Sequence, residues 1–166
     1  MKLRLTPRLA YLAGFLLAGG LILYALYLQY YEYQNPCPLC ILQRVVYIAL
    51  MVVFLLGALH GPGRTGAIVY STLLVVVSLT GAGIAARHVW LQHLPKDKVP
   101  ECGPGLAYIL DRFPLFNAFE KIFRGSGECA EVGWRLFGLS VAEWSLVWFV
   151  LLGAYAVFIA ATARKA

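Results

Sequence analysis

The chain has 166 residues, 61% of them hydrophobic and only 13% charged, with a mean hydropathy of +0.74 and a formal net charge of +6. Soluble domains carry about 45–50% apolar and about 25% charged residues, so a soluble domain, a disordered chain and a basic nucleic-acid-binding module are excluded. Four cysteines are too few to replace a core with disulfide staples, which leaves a small integral membrane protein.

A helix needs about 20 apolar residues to cross a bilayer. In chain order, the first such stretch runs from Leu9 to Tyr31. It is too long for a signal-peptide core, and no small-residue cleavage site follows before Gln34, so it reads as a span. A short loop, about 32–40, leads through Asn35-Pro36-Cys37-Pro38-Leu39-Cys40-Ile41-Leu42-Gln43-Arg44 into a second span, 41–59. Asn35 suits an N-cap and Pro36 the first helical position, which places both cysteines in the first turns of the helix. Unpaired amides and the helix dipole there favour a thiolate. Arg44, four residues beyond Cys40, projects from the same helix face and brings a fixed cation near that sulfur. The alternative for Arg44 is a side chain that only anchors the helix at the interface.

His60-Gly61-Pro62-Gly63-Arg64 supplies the breakers of a tight helical hairpin, and the third span follows from 65 to 86. A connection over about 87–143 is long for a loop without a task. Within it, Leu106, Ile109, Leu110, Phe113, Phe116, Phe119 and Phe123 recur every three or four residues, which predicts a short amphipathic helix interrupted by Pro114. Such a helix could lie on the membrane surface. The last span runs from 144 to 163. No span alternates with period 2, so a membrane barrel is excluded. The expected fold is an all-α, four-transmembrane-helix bundle forming a single membrane domain over residues 1–166.

Charge sets the expected orientation. Lys2, Arg4, Arg8, Arg64, Arg164 and Lys165 share one face of a four-span protein with no acidic residue beside them. On the other face basic and acidic residues cancel. Basic residues mark the cytoplasmic side, so both termini are expected there. They read as topology signals facing a lipid bilayer, with no nucleic-acid partner.

This orientation puts Cys37, Cys40, Cys102 and Cys129 on the opposite side, where an oxidising compartment lets disulfides form. Four cysteines allow three pairings, and spacing does not choose among them. A Cys37–Cys40 disulfide would close too small a ring to be mainly structural. No second CxxC or Cys/His pair completes a familiar zinc pattern, so no metal is expected. A thioredoxin-like reading would need a βαβ context that is absent. A structural disulfide pinning the long loop is the alternative for Cys102 and Cys129. Pro100-Glu101-Cys102-Gly103-Pro104, however, is a breaker-rich setting in which another protein could reach the sulfur. His88 stands at the outer end of the third span, either a satisfied interfacial histidine or a donor to a bound cofactor.

The ordered set Cys37-Pro38-Leu39-Cys40-Ile41-Leu42-Gln43-Arg44, Ala86-Arg87-His88 and Gly127-Glu128-Cys129-Ala130 followed by Trp134 resembles the DsbB family of bacterial inner-membrane disulfide-bond formation proteins. The resemblance covers nearly the whole chain. It implies a thiol:quinone oxidoreductase of the inner membrane that reoxidises a periplasmic DsbA-like thiol oxidase and passes electrons to a membrane quinone, ubiquinone or menaquinone. It further implies that Cys102 accepts the partner's thiolate and that Cys129 exchanges with Cys37, leaving Cys40 to engage the quinone. Arg44 would stabilise the charge-transfer or reduced state, and His88 would lie near the quinone ring. Thiolate attack on a disulfide sulfur is the chemistry such a relay needs. Two other readings are a vitamin K epoxide reductase-like protein, in which the loop cysteines precede the CxxC, and a non-enzymatic membrane scaffold with structural disulfides. The first has the opposite cysteine order, and the second gives Cys40 and Arg44 no reason to share a helix face.

Overall fold

The computed structural model describes residues 7–95 and 127–165. In chain order these form α1 (Pro7–Tyr30), α2 (Pro38–His60), α3 (Arg64–Gln92), the one-turn α4 (Gly127–Ala130), β1 (Arg135–Leu136), β2 (Leu139–Ser140) and α5 (Val141–Lys165). The helices α1, α2, α3 and α5 are each long and apolar enough to cross a membrane, so the four-span bundle expected from hydropathy is present. The predicted amphipathic helix around Gly105–Phe123 lies outside the described residues, as does Cys102.

Three boundaries differ from expectation. Helix α3 continues to Gln92, so Arg87 and His88 are helical residues rather than the start of a loop. Hydropathy falls at Arg87, but nothing breaks the backbone ladder until the approach to Pro95, and the Arg87 guanidinium settles 4.3 Å above the Trp90 ring. At the start of α2 the cap is Cys37 rather than Asn35: its backbone is extended, Pro38 takes the first helical position, and its sulfur accepts from the Cys40 amide at 3.4 Å. Helix α5 begins at Val141 because Ser140 and Glu143 form a reciprocal capping box. Ser140 N–H donates to Glu143 Oε2 at 2.6 Å, and Glu143 N–H donates to Ser140 Oγ at 3.3 Å.

The all-α expectation also needs one addition, a two-stranded antiparallel hairpin pairing Arg135 with Ser140 and Leu136 with Leu139. Phe137 and Gly138, both at positive φ, make its two-residue turn.

In the bundle α3 packs along α5, α1 along α2, and α2 along α3. Apolar side chains gain little by leaving lipid for one another, so close helix approach depends on small residues. Gly57 faces the Tyr11 ring, where a Cβ would come to 2.7 Å, and Gly81 faces Phe149, where it would come to 2.5 Å. Both aromatic residues are fully buried. Their positions are fixed by further contacts: Tyr11 donates to the Ala67 carbonyl at 3.3 Å, and Phe149 stacks on Tyr47 with centroids 4.3 Å apart. Outward faces of all four long helices expose large apolar side chains, leucine and tyrosine on α1 and mainly leucine and valine on α2, α3 and α5, as lipid contact requires.

Helix α2 ends where Gly61 takes the left-handed conformation, φ +53°, and returns its N–H to the Gly57 carbonyl at 3.0 Å. The Arg8 side chain lies against this turn, and Tyr155 of α5 donates to the Ala10 carbonyl at 2.8 Å. The start of α1, the α2–α3 turn and the later part of α5 therefore meet at one end. The cysteine-bearing ends of α2 and α3 meet at the other.

Candidate active site

Three elements converge at that second end. The N-terminus of α2 brings Cys37 and Cys40, the last turns of α3 bring His88, and α4 brings Cys129. Capping holds Cys37 in place, and its sulfur lies 3.3 Å from Cys40 Sγ. That separation is a contact between thiols, well beyond the ~2.05 Å of a disulfide bond. Cys129 is completely buried, and the sulfurs of Cys37 and Cys129 and a ring nitrogen of His88 all lie within 4.8 Å of one another. Residues far apart in sequence are thus within exchange distance.

His88 is buried with its two nitrogens committed to protein partners. Gln43 Nε2 stands 3.1 Å from Nδ1, and Nε2 stands 3.6 Å from Cys37 Sγ. With Gln43 donating its amide N–H, Nδ1 accepts and the ring proton sits on Nε2, facing the Cys37 sulfur; with the amide turned over, the proton sits on Nδ1.

Beside the sulfurs opens a cavity of about 460 Å³. Its walls come from α1 (Leu21, Tyr24, Ala25, Leu28), the start of α2, the hairpin, and the first turns of α5 with Trp144 and Trp148. Cys37, Cys40, Gln43, Arg44 and His88 all line it. Size and lining match a site for a flat, apolar ring with a few polar atoms, since such sites run about 300–1,000 Å³ with sparse, placed polar groups. A quinone ring fits this description. Two contacts tie lining residues together: Trp134 meets Tyr24 edge-on at 6.0 Å, and the Trp144 indole N–H donates to the Leu136 carbonyl at 3.1 Å.

Arg44 borders this cavity, together with Cys40, as the shared helix face predicts. Its guanidinium reaches across to α1, donating to the Gln29 side-chain carbonyl and to the Ala25 backbone carbonyl at 3.1 Å. These two bonds hold two of its five N–H donors and fix the plane of the cation. Of the residues singled out by sequence, Cys37, Cys40, Arg44, His88 and Cys129 surround one site. Cys102 lies outside the described residues.

Sequence reasoning did not assign roles to Gln29 and Gln43, the two amides that hold Arg44 and His88. Gln43 stood within the quoted motif, one residue before Arg44, but nothing in the spacing links it to His88. Gln92 and Ser140, joined by a hydrogen bond of 2.7 Å, tie the end of α3 to the start of α5 at the cavity edge. The Ser-x-x-Glu capping signature at Ser140 could have been read from the sequence.

Comparison with known proteins finds relatives along nearly the whole chain. A family profile described as "Disulfide bond formation protein DsbB" matches residues 7–159. A relative named "Disulfide bond formation protein B" from Nitrosococcus oceani is 50% identical over 156 residues, covering 94% of this chain and 92% of the relative. A protein of the same name from Methylobacillus flagellatus is 49% identical over 153 residues, covering 92% of each chain. One from Xanthomonas euvesicatoria is 45% identical over 159 residues, covering 95% of this chain and 92% of the relative.

Proposed function

The chain belongs to the DsbB family, and from that premise we propose which of its residues carry each part of the family's reaction. The protein is a membrane thiol:quinone oxidoreductase that reoxidises a DsbA-like dithiol and reduces a membrane quinone. We assign ubiquinone or menaquinone as the acceptor and a periplasmic DsbA-like oxidase as the donor, with the cysteines periplasmic and both termini cytoplasmic.

In this reading a thiolate of the partner attacks Cys102 in a Cys102–Cys129 disulfide. The S–S bond breaks, a mixed disulfide forms through Cys102, and Cys129 leaves as a thiolate. The partner's second thiol then displaces Cys102, so the partner leaves oxidised. Cys129 attacks Cys37 of a Cys37–Cys40 disulfide, which forms Cys37–Cys129 and releases Cys40 as a thiolate facing the cavity. Exchange of this kind runs through direct thiolate attack on sulfur and needs the sulfurs close together. The observation that carries the assignment is the convergence of Cys37, Cys129 and His88 within 4.8 Å beside a cavity that Cys40 also lines.

Attack of Cys102 on Cys129 then breaks the Cys37–Cys129 bond, restores Cys102–Cys129 and releases Cys37 as a thiolate. His88 Nε2, 3.6 Å from that sulfur, stands where an N–H would stabilise it as it leaves. Arg44 and its α1 partners present a fixed cation to the cavity, where negative charge develops. When bound, the quinone supplies the acceptor for two electrons and two protons, while the protein orients it and tunes its surroundings.

A partner oxidase whose second cysteine is replaced by Ser can attack the Cys102–Cys129 disulfide but has no thiol left to displace Cys102. A mixed disulfide between Cys102 and that partner should then accumulate, seen as a reductant-sensitive adduct whose linked peptides contain Cys102. An adduct through Cys37 instead would overturn the order.

A further inference from the structure

The cluster that relays electrons also has the composition and size of a soft-metal site. Two thiols and an imidazole, all buried, come from three separate elements and place their ligand atoms within 4.8 Å of one another. A tetrahedral Zn²⁺ with Zn–S of about 2.3 Å and Zn–N of about 2.0–2.1 Å spaces a sulfur and a nitrogen ~3.6 Å apart. Cys37 Sγ and His88 Nε2 are 3.6 Å apart. Metal-binding histidines are also held through their second nitrogen, and Gln43 sits 3.1 Å from Nδ1. Turning the Gln43 amide over changes no volume, presents its carbonyl to an Nδ1–H, and leaves the Nε2 lone pair facing the two sulfurs.

We propose that the chain with its cysteines reduced binds one Zn²⁺-class cation through Cys37 Sγ, Cys129 Sγ and His88 Nε2, and that this cation blocks the relay. Both thiols lose their protons as the two Zn–S bonds form, so two protons are released and no electron moves. Water completes the fourth position from the cavity side. Oxidation of either cysteine to a disulfide replaces a thiolate ligand by a neutral, weakly donating sulfur, so the site exists only in the reduced enzyme. Metal and disulfide then compete for the same sulfurs. Binding stands on the ligand geometry alone, and only its inhibitory consequence rests on the thiol:quinone reading.

The test uses the purified full chain, reduced and freed of reductant without oxygen. It is titrated with Zn²⁺ against a chromophoric chelator and, separately, with Cd²⁺ while thiolate-to-metal absorption is followed. One equivalent should bind to the reduced chain, and affinity should fall at least about a hundredfold after oxidation of the cysteines. His88→Ala, and His88→Gln as the variant that better preserves packing, should each weaken binding about tenfold or more, as should Cys129→Ser. Gln43→Leu should weaken it by about tenfold, the lower end of what lost support for a ligand costs. Stoichiometric binding that survives both His88 variants, or that is equal in the oxidised chain, overturns the site. Quinone reduction by the reduced enzyme should stop with one equivalent of Zn²⁺ and return with a chelator. A chain that binds Zn²⁺ as described but never reduces quinone keeps the metal site and sinks the redox assignment, so the two failures are distinct.

Discussion

Arg44 occupies a position that the helix face alone could anticipate, but what fixes it comes from another helix. The guanidinium is tied to Gln29 and Ala25 of α1, and it lines the cavity with Cys40. Lysine would offer a single point charge without the planar fork that serves two acceptors and the cavity together. A hydrogen bond to a charged group is worth about 1.5–3 kcal/mol, which at about 1.4 kcal/mol per decade is roughly tenfold to a hundredfold. Arg44→Lys should therefore raise the apparent KM for quinone or slow turnover at least about tenfold, measured with purified enzyme in steady-state assays. Thiol exchange with the partner oxidase should remain nearly normal in the same protein. Quinone kinetics equal to wild type would reduce Arg44 to a clasp between α1 and α2. At this scale the sulfurs and the cation were legible from local spacing, because CxxC and Arg44 share one helix. Gln29 and Gln43 were not, because an amide gains its meaning only from the group that folding places opposite it.

Among the elements, the pairing of glycine with a fully buried ring sets how closely helices approach. Gly81→Ala puts a Cβ 2.5 Å from the Phe149 ring, and that ring is itself held against Tyr47. Overpacking of this kind costs about 1–3 kcal/mol. The thermal midpoint of Gly81→Ala in detergent should fall measurably, whereas Gly83→Ala, with open space around it, should leave the midpoint unchanged or raised. Ser140→Ala removes one arm of the capping box and the tie to Gln92, and loss of such a cap costs about 1 kcal/mol. Its midpoint should drop by less than that of Gly81→Ala. Span boundaries were the least legible part of the sequence, for a physical reason. Hydropathy reports where a helix leaves lipid, but a helix ends where its backbone finds a cap or a breaker. Arg87 marks the first event, and His93 with Pro95 beyond it marks the second. The hairpin at Phe137–Gly138 was missed because two strands of two residues leave no alternation to detect.

For the whole molecule, the basic residues and the bundle point the same way. Arg8 lies against the α2–α3 turn that carries Arg64, at the end opposite the cysteines. Reporter fusions after Gly63 and at the C-terminus should both show a cytoplasmic location, and a periplasmic signal from either would overturn the orientation. The same hairpin of helices also works as a ruler. From the turn, α2 rises 23 residues, about 35 Å, to its cap at Cys37. From the same turn, α3 reaches His88 four residues short of the end of its 29-residue length, at a height of about 36 Å. Two counts starting from one origin thus deliver a sulfur and an imidazole to the same level. One residue inserted between Gly63 and His88 would leave the span as apolar as before. It would also rotate every later side chain by about 100° and carry His88 off the face that meets Cys37. Helix length in this protein is therefore a phase setting, and an insertion too small to disturb membrane assembly is large enough to disconnect the chemistry.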